Sequence, residues 1–528
     1  MADAATPDLL DARDGTSASK LPIAVDLSDR LSKEIVVALV GPIASGVSTA
    51  ASFIRDALQN KYKYDVPEII KISDFIRNEA YRVDVSIPDK VPLDGYVKAM
   101  QNAGNLLRET FGANYLAAKV IERISTIRHN NKGYTEINSR RIMIPARRAY
   151  IIDSLKNLDE YKKLRELYGD TLVVFGVFAP DRLRQERLTN NGAEQSTVKA
   201  ITDRDQGDVP TFGQMTRKTF IESDFFICND TKPDELRRRI ERYLEIVFDV
   251  QVHTPTRAEA AMYKAEAAAA NSACMSRQVG AAILSVKGEL IAVGWNDVPK
   301  FGGGLYSEDD QVIADKEKRS FVDNDKRCFK YKKNICHNES RRKTITSKIC
   351  DRICSSNILK KGVKHNAVMD VIGIAEIDAL TEYSRSIHAE MEAILSVARE
   401  GKHSITNSTL YTTTYPCHNC ARHIVAAGIK EVVYIHPYLK SLAIDLHGDA
   451  ISETSDVAER VVFRQYDGVA PRNFLKLFKP LAERKKDGKL DRTHPSKALP
   501  VFRVTLDAFL DYEDKVIADL SVKEQAAT

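Results

Sequence analysis

His388 and Glu390 stand two positions apart in an H-A-E triplet, and Pro416, Cys417 and Cys420 follow in P-C-x-x-C. One imidazole and two thiolates supply three of the four corners that a tetrahedral zinc ion takes. A three-ligand site leaves the fourth corner for water, the arrangement of a catalytic rather than a structural zinc. Zn2+ held there would make that water acidic enough to ionise near neutral pH. Glu390 is close enough to overhang the metal without ligating it, and so is placed to shuttle protons between the water and a leaving group. A lone C-x-x-C is equally a redox pair or half of a structural zinc site, and a lone H-A-E carries no information. The two together, each followed by an apolar helical run (391–397 and 424–427), argue for metal-assisted hydrolysis.

These side chains need elements to hold them. The chain from 253 onward reads as an alanine-rich helix, TRAEAAMYKAEAAAANSA, then two strand-like runs, CMSRQVGAAILS and GELIAVGWNDVP, suited to a hairpin about Lys287 and Gly288. A helix over 388–399, a strand STLYTTTYP, a helix over 417–427 and a strand EVVYIHPY complete the succession. H-x-E followed by P-C-x-x-C resembles the zinc deaminases, in which activated water attacks an amino-bearing ring carbon of cytosine or adenine. The element order over roughly 255–475 is similar to that of the cytidine deaminases. Within it, SRQVGAAIL and GWNDVP resemble the S-x-Q-V-G-A and G-Y-N-G-x-P stretches of deoxycytidylate deaminases, and YDGVAPRNFLKLF resembles their C-terminal G-V-x-P segment. The resemblance implies that Asn296 contacts the sugar and base of a substrate; Trp295 stands where those proteins have tyrosine.

Upstream, EIVVALVGPIASGVSTAASFIRDAL is an apolar run, a glycine turn and an amphipathic run. Gly41, Gly46, Ser48 and Thr49 stand where a phosphate-binding G-x-x-x-x-G-K-[ST] loop has its glycines and hydroxyls, but Val47 occupies the lysine position. Backbone N–H groups at a helix N-terminus still favour a phosphate, while the cation that follows charge onto a transferred phosphate is missing. Apolar strands (VPEIIKI, AYIID at 149–153, LVVFGVF at 172–178, DFFICN at 224–229) alternate with helical runs such as 105–124, which predicts a parallel sheet covered on both faces. The ensemble resembles the P-loop nucleotide kinases, and Asp153 falls where that family keeps its magnesium-binding acid. Arg182, Arg184 and Arg187 follow a strand end, as a phosphate-sensing lid or as a solvated helix face.

With 528 residues, 43% hydrophobic and 29% charged, the chain has the composition of a soluble protein of more than one domain. It has no apolar run of the roughly eighteen residues a membrane helix needs, its N-terminus does not read as a signal peptide, and its eight cysteines form no dense disulfide framework. A cytoplasmic setting is expected. Between Asn296 and His388 lie 91 residues, too many for a structureless loop in a compact domain. Residues 316–364 hold 16 Lys and Arg against 5 Asp and Glu, a net +11 where the whole chain is +5. The same stretch carries Cys328, Cys336, His337, Cys350 and Cys354, enough for a second, closed zinc site or for merely reduced and buried thiols.

The division expected is a disordered 1–25, a P-loop kinase-like doubly wound domain over 26–250, and a deaminase-like three-layer α/β/α domain over 251–528 with a basic insertion at 297–387. That architecture resembles the bacterial anti-phage dCTP deaminases. The resemblance implies conversion of dCTP to dUTP and dCMP to dUMP in antiviral defence, free deoxycytidine nucleotides as partners, a regulatory nucleotide at the P-loop, and a homo-oligomer. A housekeeping dCMP deaminase and a polynucleotide cytosine deaminase are the alternatives. The basic insertion supports the latter electrostatically, though the aromatic residues of its basic stretch 316–364, Phe321, Phe329 and Tyr331, make a poor stacking platform.

Overall fold

The computed structural model describes residues 30–526 except 138–139, 207–214, 231, 316, 318–319, 332–333, 357, 361, 374–376, 378–382, 439–440, 455–458, 481–482 and 506. The disorder expected of 1–25 lies outside the described residues. The run IVVALV forms β1 (Ile35–Val40), buried at every position, as a strand covered on both faces must be. β2 (Ile69–Lys71), β3 (Ala149–Asp153), β4 (Leu172–Phe178) and β5 (Phe225–Cys228) join it in parallel, in the order β5-β4-β1-β3-β2. Alternate residues of β1 serve opposite cores. Ile35, Val37 and Leu39 pack with α1 (Val47–Asn60), while Val36, Ala38 and Val40 pack with α2 (Tyr115–Asn130). Ile240 and Leu244 of α3 (Pro233–Phe248) join the first of these cores, so the sheet is doubly wound as expected. Two local expectations shift. The run 105–124 is not one helix but is broken at Gly112 (φ 111°), and VPEIIKI keeps only three strand residues before turning into the helix Ile72–Glu79.

α4 (Arg257–Ala269) opens the second layer system with a capping box between Thr256 and Glu259. The hairpin of β6 (Gly280–Leu284) and β7 (Leu290–Trp295) follows. The insertion then comes, its described part comprising an antiparallel pair (Gln311–Asp315 with Ser320–Asp323) and two helices, α5 (His337–Cys354) and α6 (His365–Gly373). α7 (Ala389–Glu400), β8 (Thr409–Thr414), α8 (His418–Ala426), β9 (Glu431–His436), β10 (Ile451–Ser452) and β11 (Val461–Gln465) complete a sheet ordered β10-β11-β9-β8-β6-β7. Ala281, Ile283, Leu410 and Val432 face α7 and α8, whereas Ala282, Leu284, Tyr411 and Val433 face α4: the expected three layers.

Small residues let those layers close. A Cβ on Gly280 would lie 1.9 Å from the Ala265 carbonyl oxygen, and one on Gly294 would lie 2.4 Å from both the Ala389 oxygen and the Ala393 nitrogen. Backbone therefore rests on backbone at the helix that begins the metal motif. The two sheets also share one hydrophobic cluster, which runs from Val36 and Tyr150 through Phe226 and Tyr466 to Ala282 and Val433. After β11, β12 (Gly468–Val469) pairs antiparallel with β5 of the first sheet, and α9 (Asp507–Ala526) puts Glu513 on Arg128 of α2. Among the described residues no helix is long and apolar enough to cross a membrane.

Candidate active site

His388 and Cys417 are the N-cap residues of α7 and α8, and Cys420 lies in the first turn of α8. β7, β8 and β9 carry these helix starts to one end of the sheet. His388 Nδ1 is 3.3 Å from both Cys417 Sγ and Cys420 Sγ, and the three ligand atoms lie within 4.8 Å of one another. A tetrahedral zinc with bonds of about 2.0–2.3 Å needs ligand-to-ligand edges of about 3.4–3.8 Å, so this donor set fits three of its corners. Both cysteines are buried. The Cys417 thiol is pulled down to about 4 by its hydrogen bond from Cys420, by His388 and by the Cys420 backbone N–H; Cys420 is pushed up in turn, because the pair shares one proton. The hydrogen bond with Cys417 pushes His388 up to about 9. A sulfur so readily deprotonated is a metal ligand in waiting.

Glu390 sits in the first turn of α7, 4% exposed, with its carboxyl hydrogen-bonded to Cys420 and raised by burial. It faces the three ligands without joining them. Asn296, just past β7, is buried too, but its amide is already working: Oδ1 accepts from Val279 N (2.7 Å) and Nδ2 donates to Arg277 O (2.8 Å). It thus holds the 277–279 loop, with one N–H and one lone pair left over.

Asp297 has no counterpart in the sequence reading. Fully buried, it accepts from Ala273 N (2.9 Å) and Val298 N (2.8 Å), and its carbonyl accepts from Ile387 N (2.9 Å), next to His388. Arg327 of the insertion approaches it at 4.0 Å. His436, at the end of β9, was missed as well; burial and the Arg277 guanidinium push its imidazole down to about 4, so it is neutral. Asp297 stands in the GWNDVP stretch beside Asn296 and His436 in the strand EVVYIHPY, but neither is singled out there.

In the first sheet, Gly46 caps α1 at φ 92°, and Ser48 Oγ donates to Asp153 Oδ2 (2.7 Å), so a hydroxyl of the glycine loop meets the acid at the end of β3. Val47 turns into the core, while Thr49 is exposed. Gly41 is closed in by the Val177 carbonyl, 2.2 Å from where a Cβ would lie. The loop is also held from within the protein: Ile43 N donates to Asp205 Oδ2 (2.7 Å), which Lys156 neutralises, and Arg187 donates to Ala44 O (3.1 Å). Of the three arginines, Arg182 pairs with Glu186 on the surface and Arg184 is buried beside Asp181. Of the five possible second-site ligands, Cys350 and Cys354 come together, and His365 joins them. Cys336 and His337 begin α5, about 20 Å away at 1.5 Å per residue.

Residues 255–436 match the family model for the cytidine and deoxycytidylate deaminase zinc-binding region. Zinc is the metal of that region, and the donor set suits it. The chain is 28% identical over 174 residues to the deoxycytidylate deaminase of Enterobacteria phage T4, covering 32% of this chain and 72% of that protein. It spans only 29% and 33% of two further curated relatives. A UPF0200 protein of Saccharolobus islandicus is 19% identical over 213 residues, 40% of this chain and 94% of the relative. Among solved structures, the dCMP deaminase of cyanophage S-TIM5 is 19% identical over 40% of this chain and all of that one, with a TM-score of 0.22.

Proposed function

We propose that the chain is a zinc-dependent hydrolytic deaminase of free deoxycytidine nucleotides, converting dCTP to dUTP and dCMP to dUMP. The observation that carries this reading is the meeting of His388, Cys417 and Cys420 with a buried, non-ligating carboxyl, Glu390, beside them. His388, Cys417 and Cys420 hold the zinc. When bound, the metal supplies the Lewis acidity that makes water a nucleophile at neutral pH. Glu390 takes one proton from the water and passes it to the ring nitrogen N3 as the oxygen adds to the amino-bearing carbon, then carries the second from that oxygen to the amino group, which leaves as ammonia while the oxygen stays as the uracil carbonyl. Asn296 keeps the 277–279 loop against the site and offers its remaining donor to the substrate. Arg277, whose carbonyl Asn296 holds and whose charge reaches His436, is the cation we assign to the nucleotide phosphate.

The test is ammonia release from dCTP, dCMP, CTP and cytosine-containing single-stranded DNA, each incubated with the protein alone. Both deoxynucleotides are expected to react; activity on DNA alone would overturn the assignment. The name of the T4 relative favours a second reading, a housekeeping deaminase confined to dCMP, which a silent dCTP arm would establish.

The wider role follows the same chemistry. Removing dCTP starves phage replication, and the first sheet acts as a nucleotide-binding regulator, with the chain assembled as a homo-oligomer. Support for the regulator is the paired Ser48 and Asp153 together with the loss of the catalytic cation at Val47. In cells carrying the gene, infection should lower the dCTP pool, and Glu390→Gln should abolish that fall. With the full chain, ATP binding followed by calorimetry should vanish in Gly46→Val while zinc content stays; unchanged binding would leave the first sheet a scaffold.

A further inference from the structure

The insertion's helical hairpin is stapled by a metal of its own: we propose that Cys350, Cys354 and His365 form a second zinc site, one that tethers α5 to α6. Four residues apart on α5, the two cysteines share one face of the helix. Their sulfurs stand 3.9 Å apart. Two thiolates at about 2.3 Å from a tetrahedral ion are about 3.8 Å apart, whereas a disulfide would need about 2.05 Å. His365, the first residue of α6, brings its imidazole to the same point, so all three ligand atoms lie within 4.8 Å. Its Nε2 is 3.0 Å from Asp351 Oδ1. That bond leaves Nδ1 as the metal-facing lone pair and orients the ring, the carboxylate–histidine pairing that supports zinc ligands elsewhere.

Packing explains the need for such a staple. Of the eighteen residues of α5 only Thr346 and Cys350 are buried, and in α6 Val368 is the buried apolar side chain among the described residues. So little apolar contact does not hold two short helices together, and small units of this kind are held by metals or disulfides. Cys350 is fully buried between the helices, while Cys354 and His365 are open to water, so solvent can supply the fourth ligand. Two thiolates and a neutral imidazole balance one divalent cation, and sulfur donors select zinc over the hard cations. Among the described residues of the two helices no carboxyl is buried as Glu390 is, which separates this group from the first centre.

The test uses the full-length protein and elemental analysis. The wild type should carry two zinc ions per chain, Cys350→Ser with Cys354→Ser one, and Cys417→Ala with Cys420→Ala one. Cobalt(II) gives a second readout: the variant lacking Cys417 and Cys420 should still show intense thiolate–cobalt absorption, and His365→Ala in that background should lose it. Hydrogen exchange over 337–373 should quicken about tenfold or more when Cys350 and Cys354 are replaced. A wild type with a single zinc that disappears with Cys417 and Cys420, two ions retained without Cys350 and Cys354, or a Cys350–Cys354 disulfide detected by mass would each overturn the proposal. Failure of the first centre would instead appear as zinc unaffected by loss of Cys417 and Cys420, so the two readings fail separately.

Discussion

A proton carrier and a ligand leave different marks when removed. Glu390→Gln keeps the shape of the side chain and touches no sulfur or imidazole, so zinc content should match wild type while turnover falls by about 10²–10⁴. Near-normal ammonia release by that variant would take the proton shuttle away from Glu390. Asp297 works at one remove, by fixing the 273 loop and the strand end before His388. Asp297→Ala strips acceptors from two buried N–H groups and should cost about 1–3 kcal/mol in urea denaturation, with a raised KM and zinc retained. His388, Cys417 and Cys420 were legible because metal binding imposes short spacings at each of two helix starts, H-A-E at α7 and C-x-x-C at α8, which a sequence displays. Asp297, His436 and His365 were not: the acceptor role of Asp297 shows only when Ala273 is folded against it, His436 carries no spacing signal, and His365 meets Cys350 and Cys354 only because α6 turns back onto α5. Asn296 was singled out by its motif, whereas its amide bonds to 277 and 279 follow from how the loop folds back and leave no mark in the sequence.

The helices that bear the ligands are positioned by how closely they can approach the sheet. Gly294→Val would drive a side chain into the first turns of α7, where 2.4 Å separates a Cβ from two backbone atoms that cannot yield. A destabilisation of about 1–3 kcal/mol is expected for such overpacking, together with weaker zinc retention against a chelator, because α7 carries His388. Gly280→Val strains α4 instead, on the opposite face, and should lower stability by a similar amount while chelator resistance stays closer to wild type. Equal chelator sensitivity of the two variants would mean that the site follows global stability rather than helix placement. Alternating apolar strands and alanine-rich or amphipathic helices made both sheets readable, as β1 shows by serving two cores with alternate residues. The insertion was not readable in the same way. α5 has almost no buried face, so it lacks the apolar periodicity by which a helix is recognised.

Across the molecule, beyond the apolar cluster the two sheets share, deeply buried charged groups tie α9 to the layer on the first sheet. Arg128, fully buried, pairs with Glu34 (2.9 Å) and with Glu513 of α9 (2.6 Å), and Tyr168 adds a hydrogen bond to Glu513. Glu513→Ala leaves that guanidinium short of one counter-charge, a loss of about 3–5 kcal/mol by denaturant titration. Asp467, just before β12, sits 3.0 Å from Arg239 and from the Tyr243 hydroxyl, yet burial outweighs both and raises its carboxyl to about 6. Between pH 4 and 6 the folded protein keeps a proton that the unfolded chain has released, so this group makes stability fall as pH rises through that window. Asp467→Asn should remove the fall: relative to wild type it should gain on the order of 2 kcal/mol between pH 4 and pH 7. A wild-type-to-variant difference that is flat with pH would show that the carboxyl is solvated. The pairing of β12 with β5 has a further consequence, in time. The edge strand and Glu513 leave the ribosome some 240 to 290 residues after β5, and at about 5–20 residues per second that is an interval of roughly ten seconds to a minute. Throughout it the nascent first sheet has an open edge and an arginine, Arg128, short of one of its two counter-charges, which makes this half of the chain the natural client of a chaperone during its own synthesis.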